Sequence, residues 1–222
     1  DHVLQPSANG WENQQKTVYL YNSDGNLLSS ETKTWDGNFW QFDKRIVRHF
    51  NDLGEYDSSK RQLWQNEKWV NWLLETRTFD GEGMLDMVQH FTAEEGEWVN
   101  NMRLYYDWYE TGLFKEGYFQ KWTDSCWVNE TKDMLTYDDY GNQLSYLRMN
   151  WTDSVWENHY LTSYTRDGAG KLIKEVHQTW QGEWKNSFQD LYQYGLYGNI
   201  AENVSQQWVS DRWQNTSKYT YS

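Results

Sequence analysis

The stretch Trp122–Asn129, with the sequence WTDSCWVN, places two tryptophans five residues apart around a short polar turn. A tryptophan equivalent to the second of them recurs along the chain every 29 residues, with a single step of 28. The row consists of Trp11, Trp40, Trp69, Trp98, Trp127, Trp156, Trp184 and Trp213. A fixed period of this length is typical of repeat proteins, in which each repeat is one supersecondary structure. We therefore expect residues 11–222 to form a single repeat domain of seven and a half repeats, with residues 1–10 as a lead-in or linker.

Each repeat has the sequence pattern of two β-strands. Apolar and aromatic residues recur at every second position in the first strand, as at Met102, Leu104 and Tyr106, and a period of two indicates a strand. In the seven complete repeats a glycine follows the row tryptophan by 14 residues, as at Gly141, where a three-residue hairpin loop requires a positive φ. This glycine marks the first turn of the repeat. The second turn lies between the paired tryptophans, as in Trp122–Trp127.

A second tryptophan row predicts cross-strand pairs at the second turns. A two-residue hairpin turn with one flanking residue pair would place tryptophans five residues apart directly opposite each other on one face. An offset ring pair contributes about 0.5 to 1.5 kcal/mol beyond its buried area. The predicted structural pairs are Trp35 with Trp40, Trp64 with Trp69, Trp122 with Trp127, Trp151 with Trp156, Trp180 with Trp184, and Trp208 with Trp213.

The predicted fold is all-β: 29-residue hairpin repeats in an antiparallel up-and-down meander of about 15 strands. If Trp35 faces Trp40 and Asp138 faces Asn142, the pairing is displaced by two residues per repeat. Such a stagger is compatible with an open twisted single sheet and with a sheet closed into a barrel. Strict alternation puts charged residues on the face opposite the tryptophans, so we expect no membrane insertion. These residues are Lys16, Arg45, Arg103, Glu130 and Lys132.

Two stretches carry a family resemblance. Tyr19–Asn26 (YLYNSDGN) and Leu135–Asn142 (LTYDDYGN) resemble the Tyr-Asp repeats, of the YD or RHS type, of large bacterial surface and toxin proteins. With the Trp-x-Asn start, the chain is similar to tryptophan-rich hairpin repeats of secreted or outer-surface bacterial proteins. The resemblance implies a β-hairpin repeat fold and a secreted or cell-surface location. The repeat is longer than a Tyr-Asp repeat, and Tyr194–Gly198 lacks the aspartate, so no toxin-enclosing shell follows.

Composition excludes several classes of function. The net charge is −13, with 33 acidic residues against 20 Lys and Arg, which argues against a nucleic-acid partner. The sequence contains no run of 18 or more apolar residues, so we expect no transmembrane helix. Cys126 is the only cysteine, so no disulfide forms within the chain. No catalytic constellation stands out, and we expect neither an enzyme nor a bound metal or cofactor. The acidic first turns leave open whether calcium binds.

The tryptophan rows admit two interpretations. Exposed indoles could stack on sugar rings, or the pairs could pack on each other and on neighbouring hairpins; their regular recurrence favours packing. Candidate ligand-binding residues are those at departures from the pattern and extra tryptophans: Phe42, Trp72, Trp108 and Arg166. We expect a non-catalytic module that binds or displays at a surface, with a carbohydrate or protein partner. A purely structural stalk and a polysaccharide hydrolase are the alternatives, and the oligomeric state stays open.

Overall fold

The computed structural model describes residues 1–7 and 10–221, apart from the side chain of Ser7. Ala8 and Asn9 of the predicted lead-in, and Ser222 of the predicted repeat domain, lie outside the described residues. The described residues form sixteen β-strands and no helix. The strands are β1 (His2–Ser7), β2 (Gly10–Tyr21), β3 (Leu27–Trp35), β4 (Trp40–Phe50), β5 (Tyr56–Gln65), β6 (Lys68–Phe79), β7 (Leu85–Glu94), β8 (Glu97–Trp108), β9 (Phe114–Thr123), β10 (Cys126–Tyr137), β11 (Gln143–Thr152), β12 (Val155–Arg166), β13 (Leu172–Trp180), β14 (Trp184–Tyr194), β15 (Ile200–Val209) and β16 (Arg212–Thr220).

The strands pair in chain order from β1 to β16, which confirms the predicted up-and-down meander. Among the described residues β1 and β16 pair with one neighbour each and not with each other, so the sheet is open rather than closed. Residues outside the repeat pattern add the sixteenth strand, because β1 pairs antiparallel with β2. Pro6, the only proline, lies in this terminal strand, where a missing N–H is tolerated.

The chain divides into two compact units. The first unit comprises Asp1–Leu104 and Lys121–Trp127, and the second comprises Tyr105–Gln120 and Val128–Ser222. Within the second unit, Leu135 pairs with Tyr146, which pairs with Thr162. The step from Leu135 to Thr162 is 162 − 135 = 27 residues, so the register is displaced by the predicted two residues relative to the 29-residue repeat.

The first turns have the predicted geometry. Asp138 N donates to Asn142 O at 2.9 Å, which encloses a three-residue loop, and Gly141 has φ +80°. The glycines at this position share φ values from 77° to 84°, a region that L-residues adopt only with strain. These are Gly25, Gly54, Gly83, Gly112, Gly141, Gly170 and Gly198.

The second turns hold the tryptophan pairs. Trp151 pairs with Trp156 around Asp153 and Ser154, both of which have positive φ as a type I′ turn requires. All six predicted pairs form, with ring centroids 4.9 to 5.2 Å apart and interplanar angles of 63° to 70°. These edge-to-face contacts confirm that the rows pack within each hairpin.

The asparagine of the Trp-x-Asn start extends the pairing. Beside four of the six tryptophan pairs, a glutamine on the facing strand donates from its amide to this asparagine. The contacts are Gln62 to Asn71 (2.8 Å), Gln120 to Asn129 (2.6 Å), Gln178 to Asn186 (3.0 Å) and Gln206 to Asn215 (2.6 Å). These four tryptophan pairs are therefore followed on the same face by a cross-strand hydrogen bond.

A β-bulge that follows the row tryptophan in six repeats reverses the predicted faces of the first strand. Lys33 pairs with Phe42 and Thr32 with Lys44, which leaves Asp43 as an extra residue. An extra residue moves every later side chain to the other face. The guanidinium of Arg45 consequently lies 4.6 Å from the Trp69 ring centre, and that of Arg103 lies 4.3 Å from Trp127. The prediction that these two arginines lie opposite the tryptophans is wrong, because it assumed uninterrupted alternation.

Little hydrophobic surface is deeply buried in either unit. Among the described residues, Val88 is the one buried hydrophobic side chain, while five polar or charged residues are buried: Thr32, Ser59, Glu75, Thr162 and Gln189. A single-layer sheet has no second layer to cover its faces. Cross-strand side-chain pairs must therefore supply most of the stabilisation.

Two glycines of one first turn provide a matched test of the turn geometry. Gly170 has φ +82°, whereas Gly168 has no positive φ, and a Cβ at either position would meet nothing within 4 Å. We expect Gly170→Ala to reduce the free energy of unfolding by about 1 to 2 kcal/mol through left-handed strain. Gly168→Ala should leave it unchanged or raise it slightly, because it restricts the unfolded chain. Urea denaturation measures both; equal effects would contradict the assigned turn.

Candidate binding grooves beside the first turns

The residue that follows the strand aromatic builds the first turn. Asp138 Oδ1 accepts hydrogen bonds from the backbone N–H groups of Tyr140 (2.9 Å) and Asn142 (2.8 Å). The Asn142 side chain and these two backbone donors lower the pKa of Asp138. In four other repeats the side-chain oxygen at this position accepts the same two backbone hydrogen bonds. The accepting residues are Asn22, Asn51, Asp80 and Asp167. The aspartate of the Tyr-Asp stretch is therefore a turn-forming residue.

Tyr109 occupies this turn-forming position in the repeat that begins at Trp98. Its hydroxyl donates to the carbonyl oxygen of Leu135 at 3.1 Å, and its ring meets Tyr137 edge-to-face at 6.0 Å. Burial, together with the neighbouring Tyr109, raises the pKa of Tyr137. In most repeats the side chain at this position caps its own turn. In this repeat, Tyr109 instead contacts the next hairpin.

A groove of about 850 Å³ lies between these two turns of the second unit. Its walls come from Tyr109–Thr111 and Leu113 on one side and from Thr136–Gly141 on the other. Tyr140 stands at the tip with 92% of its surface exposed, and Glu110 and Asp139 are also exposed. The groove combines aromatic rings with carboxylate acceptors, which is the composition of a small-molecule site.

The first unit has a groove at the equivalent position between two of its own first turns. It has a volume of about 490 Å³ and is lined by Asn51, Leu53, Glu55, Asp57, Arg77–Gly81 and Gly83. Asp57 is bound there by His49 Nδ1 at 2.8 Å. No tyrosine lines this groove. The architecture of the repeats therefore produces a groove between turns, and the residues at the turns determine its chemistry.

Two of the predicted ligand-binding residues lie in the first unit. Phe42 packs against Trp64 and Trp69, with centroid distances of 4.9 and 5.5 Å, and Lys33 Nζ lies 4.0 Å from its ring centre. Trp72 is the extra residue of the bulge in β6 and is 50% exposed. Phe42 is thus part of the packed tryptophan face, whereas Trp72 owes its exposure to the bulge.

The other two predicted residues lie in the second unit. Trp108 packs edge-to-face on Phe114 at 5.7 Å and is stacked near Tyr106 at 6.3 Å. Arg166 Nη1 donates to the carbonyl oxygen of Gly170 at 3.2 Å, in the turn that follows it. Neither residue lines the tyrosine groove. The four predicted residues are therefore not brought together, and their role in binding stays a prediction.

Within the described residues, no group of three or more His, Cys, Asp or Glu side chains has a geometry that could hold a metal ion. Cys126 is exposed and donates through Sγ to the carbonyl oxygen of Thr123 at 3.3 Å. Among these residues there is no helix with the length and apolar character needed to span a membrane.

Comparison with known proteins identifies the fold. No family model and no curated protein matches the chain. A solved structure of TcdB2-TccC3-Cdc42 is 15% identical over 94% of this chain, with a TM-score of 0.51. TcdB2-TccC3 without its hypervariable C-terminal region is 16% identical over 91%, with a TM-score of 0.50. The match covers 11% of each of those longer chains.

A protein of unknown function from Bacteroides fragilis NCTC 9343 is 13% identical, with 54% of this chain and 91% of that chain covered and a TM-score of 0.43. At these identities the two TcdB2-TccC3 structures show the fold alone, a β-hairpin repeat sheet.

The tyrosine groove was not predicted, although the sequence contains a signal for it. Tyr109 and Gly195 are the departures from Asn or Asp at the turn-forming position. Exposed tip residues such as Tyr140 and Tyr197 vary freely because no backbone hydrogen bond depends on their side chains. Variation at these two positions indicates where one repeat can differ from the next in function.

Asp138 provides a pH-dependent test of the turn that shapes the groove. Its pKa is lowered in the folded protein, so its contribution to stability is present above the ordinary value of 3.8 and is lost as the pH falls through the folded value. We expect Asp138→Ala to lower the urea midpoint at neutral pH. Asp138→Asn should retain it, since Asn22 and Asn51 make the same two bonds.

The stability difference between the wild type and Asp138→Ala should shrink in acid, and Asp139→Ala should change neither the midpoint nor its acid dependence. An unchanged midpoint for Asp138→Ala at pH 7 would contradict the capping role.

Proposed function

We propose that the chain is a non-catalytic β-hairpin repeat module that binds a carbohydrate in the tyrosine groove of the second unit. The observation that carries the proposal is the pairing of an exposed aromatic tip, Tyr140, with a groove walled by Tyr109 and Tyr137. The negative face of an aromatic ring attracts the C–H groups of a pyranose, and flat rings also cover its apolar face. Glu110 and Asp139 supply acceptors for sugar hydroxyl groups.

The proposal includes a relationship to Tyr-Asp repeats and a secreted or bacterial cell-surface location. The turn chemistry supports the relationship, because the aspartate at this position accepts two backbone hydrogen bonds in three repeats. The use of Asp138 in its own turn favours binding over hydrolysis as the role of this groove, because hydrolysis of a glycoside needs a pair of available carboxyl groups.

A structural scaffold is the alternative class, and the edge-to-face tryptophan pairs favour it. Six pairs with nearly identical geometry make a regular sheet that could separate other domains without contacting a ligand. The two functions make different predictions for surface substitutions. In a binding module some of them reduce ligand affinity, whereas in a scaffold they affect only stability.

Titration of a neutral oligosaccharide panel separates these functions, with Tyr140→Ala as the test variant. We expect Tyr140→Ala to weaken binding at least about tenfold, because ring stacking in such a site contributes on the order of 1.4 kcal/mol. Tyr197→Ala is the matched control: Tyr197 is 98% exposed at the same repeat position but does not line the groove.

The control should bind like the wild type, and both variants should keep the wild-type unfolding midpoint. No binding of any glycan, or equal losses in the two variants, would overturn the carbohydrate proposal. The first result would favour the scaffold or a protein partner.

A further inference from the structure

The first unit carries a group of arginines around Ser59. Gln62 of β5 accepts a hydrogen bond from Arg45, and Arg45 lies over Trp69, so Gln62 is on the tryptophan face. Because side chains alternate along a strand, the adjacent Arg61 points to the opposite face. Ser59 lies two residues from Arg61 along β5 and on the same face. Arg48 is the β4 partner of Ser59. Diagonal neighbours of this kind lie roughly 7 to 8 Å apart, within reach of long side chains.

The carboxylate that faces Ser59 on the neighbouring strand is already engaged. Glu75, the β6 partner of Ser59, binds Arg77 Nε and Nη2, each at 2.9 Å from Oε1. It also accepts from the Tyr56 hydroxyl at 3.2 Å and lies 3.6 Å from His90 Nε2. The pKa of His90 is lowered, chiefly by burial. The charge of Glu75 raises this pKa, whereas the charges of Arg61 and Arg77 lower it further.

Arg48 and Arg61, by contrast, have no counter-ion. Within the described residues neither makes a hydrogen bond or ion pair, and Arg48 Nη1 and Arg61 Nε are buried without any partner. Ser59 between them is 2% exposed. A buried charged donor without an acceptor is costly. It is also unexpected in a chain in which 33 Asp and Glu residues outnumber 20 Lys and Arg residues.

We propose that Arg48 and Arg61 form a binding site for an oxyanion group, a carboxylate, phosphate or sulfate, on the face opposite the tryptophans. Guanidinium groups present planar pairs of N–H donors that match two oxygens of such a group. An anion held between the two arginines satisfies the buried Nη1 and Nε donors and offsets a local excess of positive charge. The site lies in the first unit and is independent of the tyrosine groove of the second.

The test is a titration of the folded protein with sodium acetate, glucuronate, phosphate and sulfate, each against sodium chloride at equal ionic strength. The arginine Nε–H resonances report binding at the site itself. Acetate and glucuronate test a carboxylate, and the other two salts test a tetrahedral oxyanion. The arm that binds most tightly identifies the class.

Arg48→Gln and Arg61→Gln should each weaken binding at least about tenfold, the usual loss for a hydrogen bond to a charged group. Lys60→Gln is the matched control, since exposed Lys60 adjoins Arg61 on the opposite face of the same strand, and it should bind within about twofold of the wild type. Arg61→Lys keeps the charge but lacks the planar fork, and should bind more weakly than the wild type.

In chloride alone, the two glutamine variants should be at least as stable as the wild type, because they remove an unpaired cation. The proposal is overturned if none of the four anions shifts the Arg48 or Arg61 resonances, if Lys60→Gln loses as much affinity as Arg61→Gln, or if both glutamine variants fail to fold.

Discussion

Cross-strand packing between neighbouring strands is the interaction on which this sheet depends. No second layer covers either face, and Val88 is the one buried hydrophobic side chain among the described residues. A tryptophan pair at the second turn supplies large apolar contacts without a second layer, because each ring edge meets the face of its partner. The 29-residue period repeats this pair, and the Gln-to-Asn hydrogen bond beside it, from hairpin to hairpin.

The bulge after the row tryptophan and the bulge beside the first turn explain how one sheet can carry distinct chemistry on its two faces. The bulge after Trp40 brings Arg45 over Trp69 and places Arg48 on the other face, where Arg61 of β5 also lies. The bulge beside the first turn, where Thr136 pairs with Ser145 and Tyr137 with Gln143, accompanies the three-residue loop. Turn-forming side chains hold the loops, so the exposed tips can vary without loss of structure.

Local periodicity predicted the strands, both turns and the tryptophan pairs, because these features depend on residues close in sequence. The bulges were not predicted: an extra residue such as Asp43 or Trp72 has no fixed chemical identity, and only the pairing register reveals it. The prediction that Arg45 and Arg103 lie on the face opposite the tryptophans was wrong for that reason. Tyr109 and Tyr140 were missed as groove residues, since the groove joins two hairpins and a single repeat does not contain it.

A double-mutant cycle on Trp151 and Trp156 tests most directly whether tryptophan pairs stabilise the sheet. Their ring centroids lie 4.9 Å apart. Unfolding free energies of the wild type, both single alanine variants and the double variant should give a coupling of about 0.5 to 1.5 kcal/mol. A parallel cycle on Trp151 and Trp208, which belong to separate hairpins of the same unit, should give a coupling near zero. Equal coupling in the two cycles, or none in either, would contradict the account.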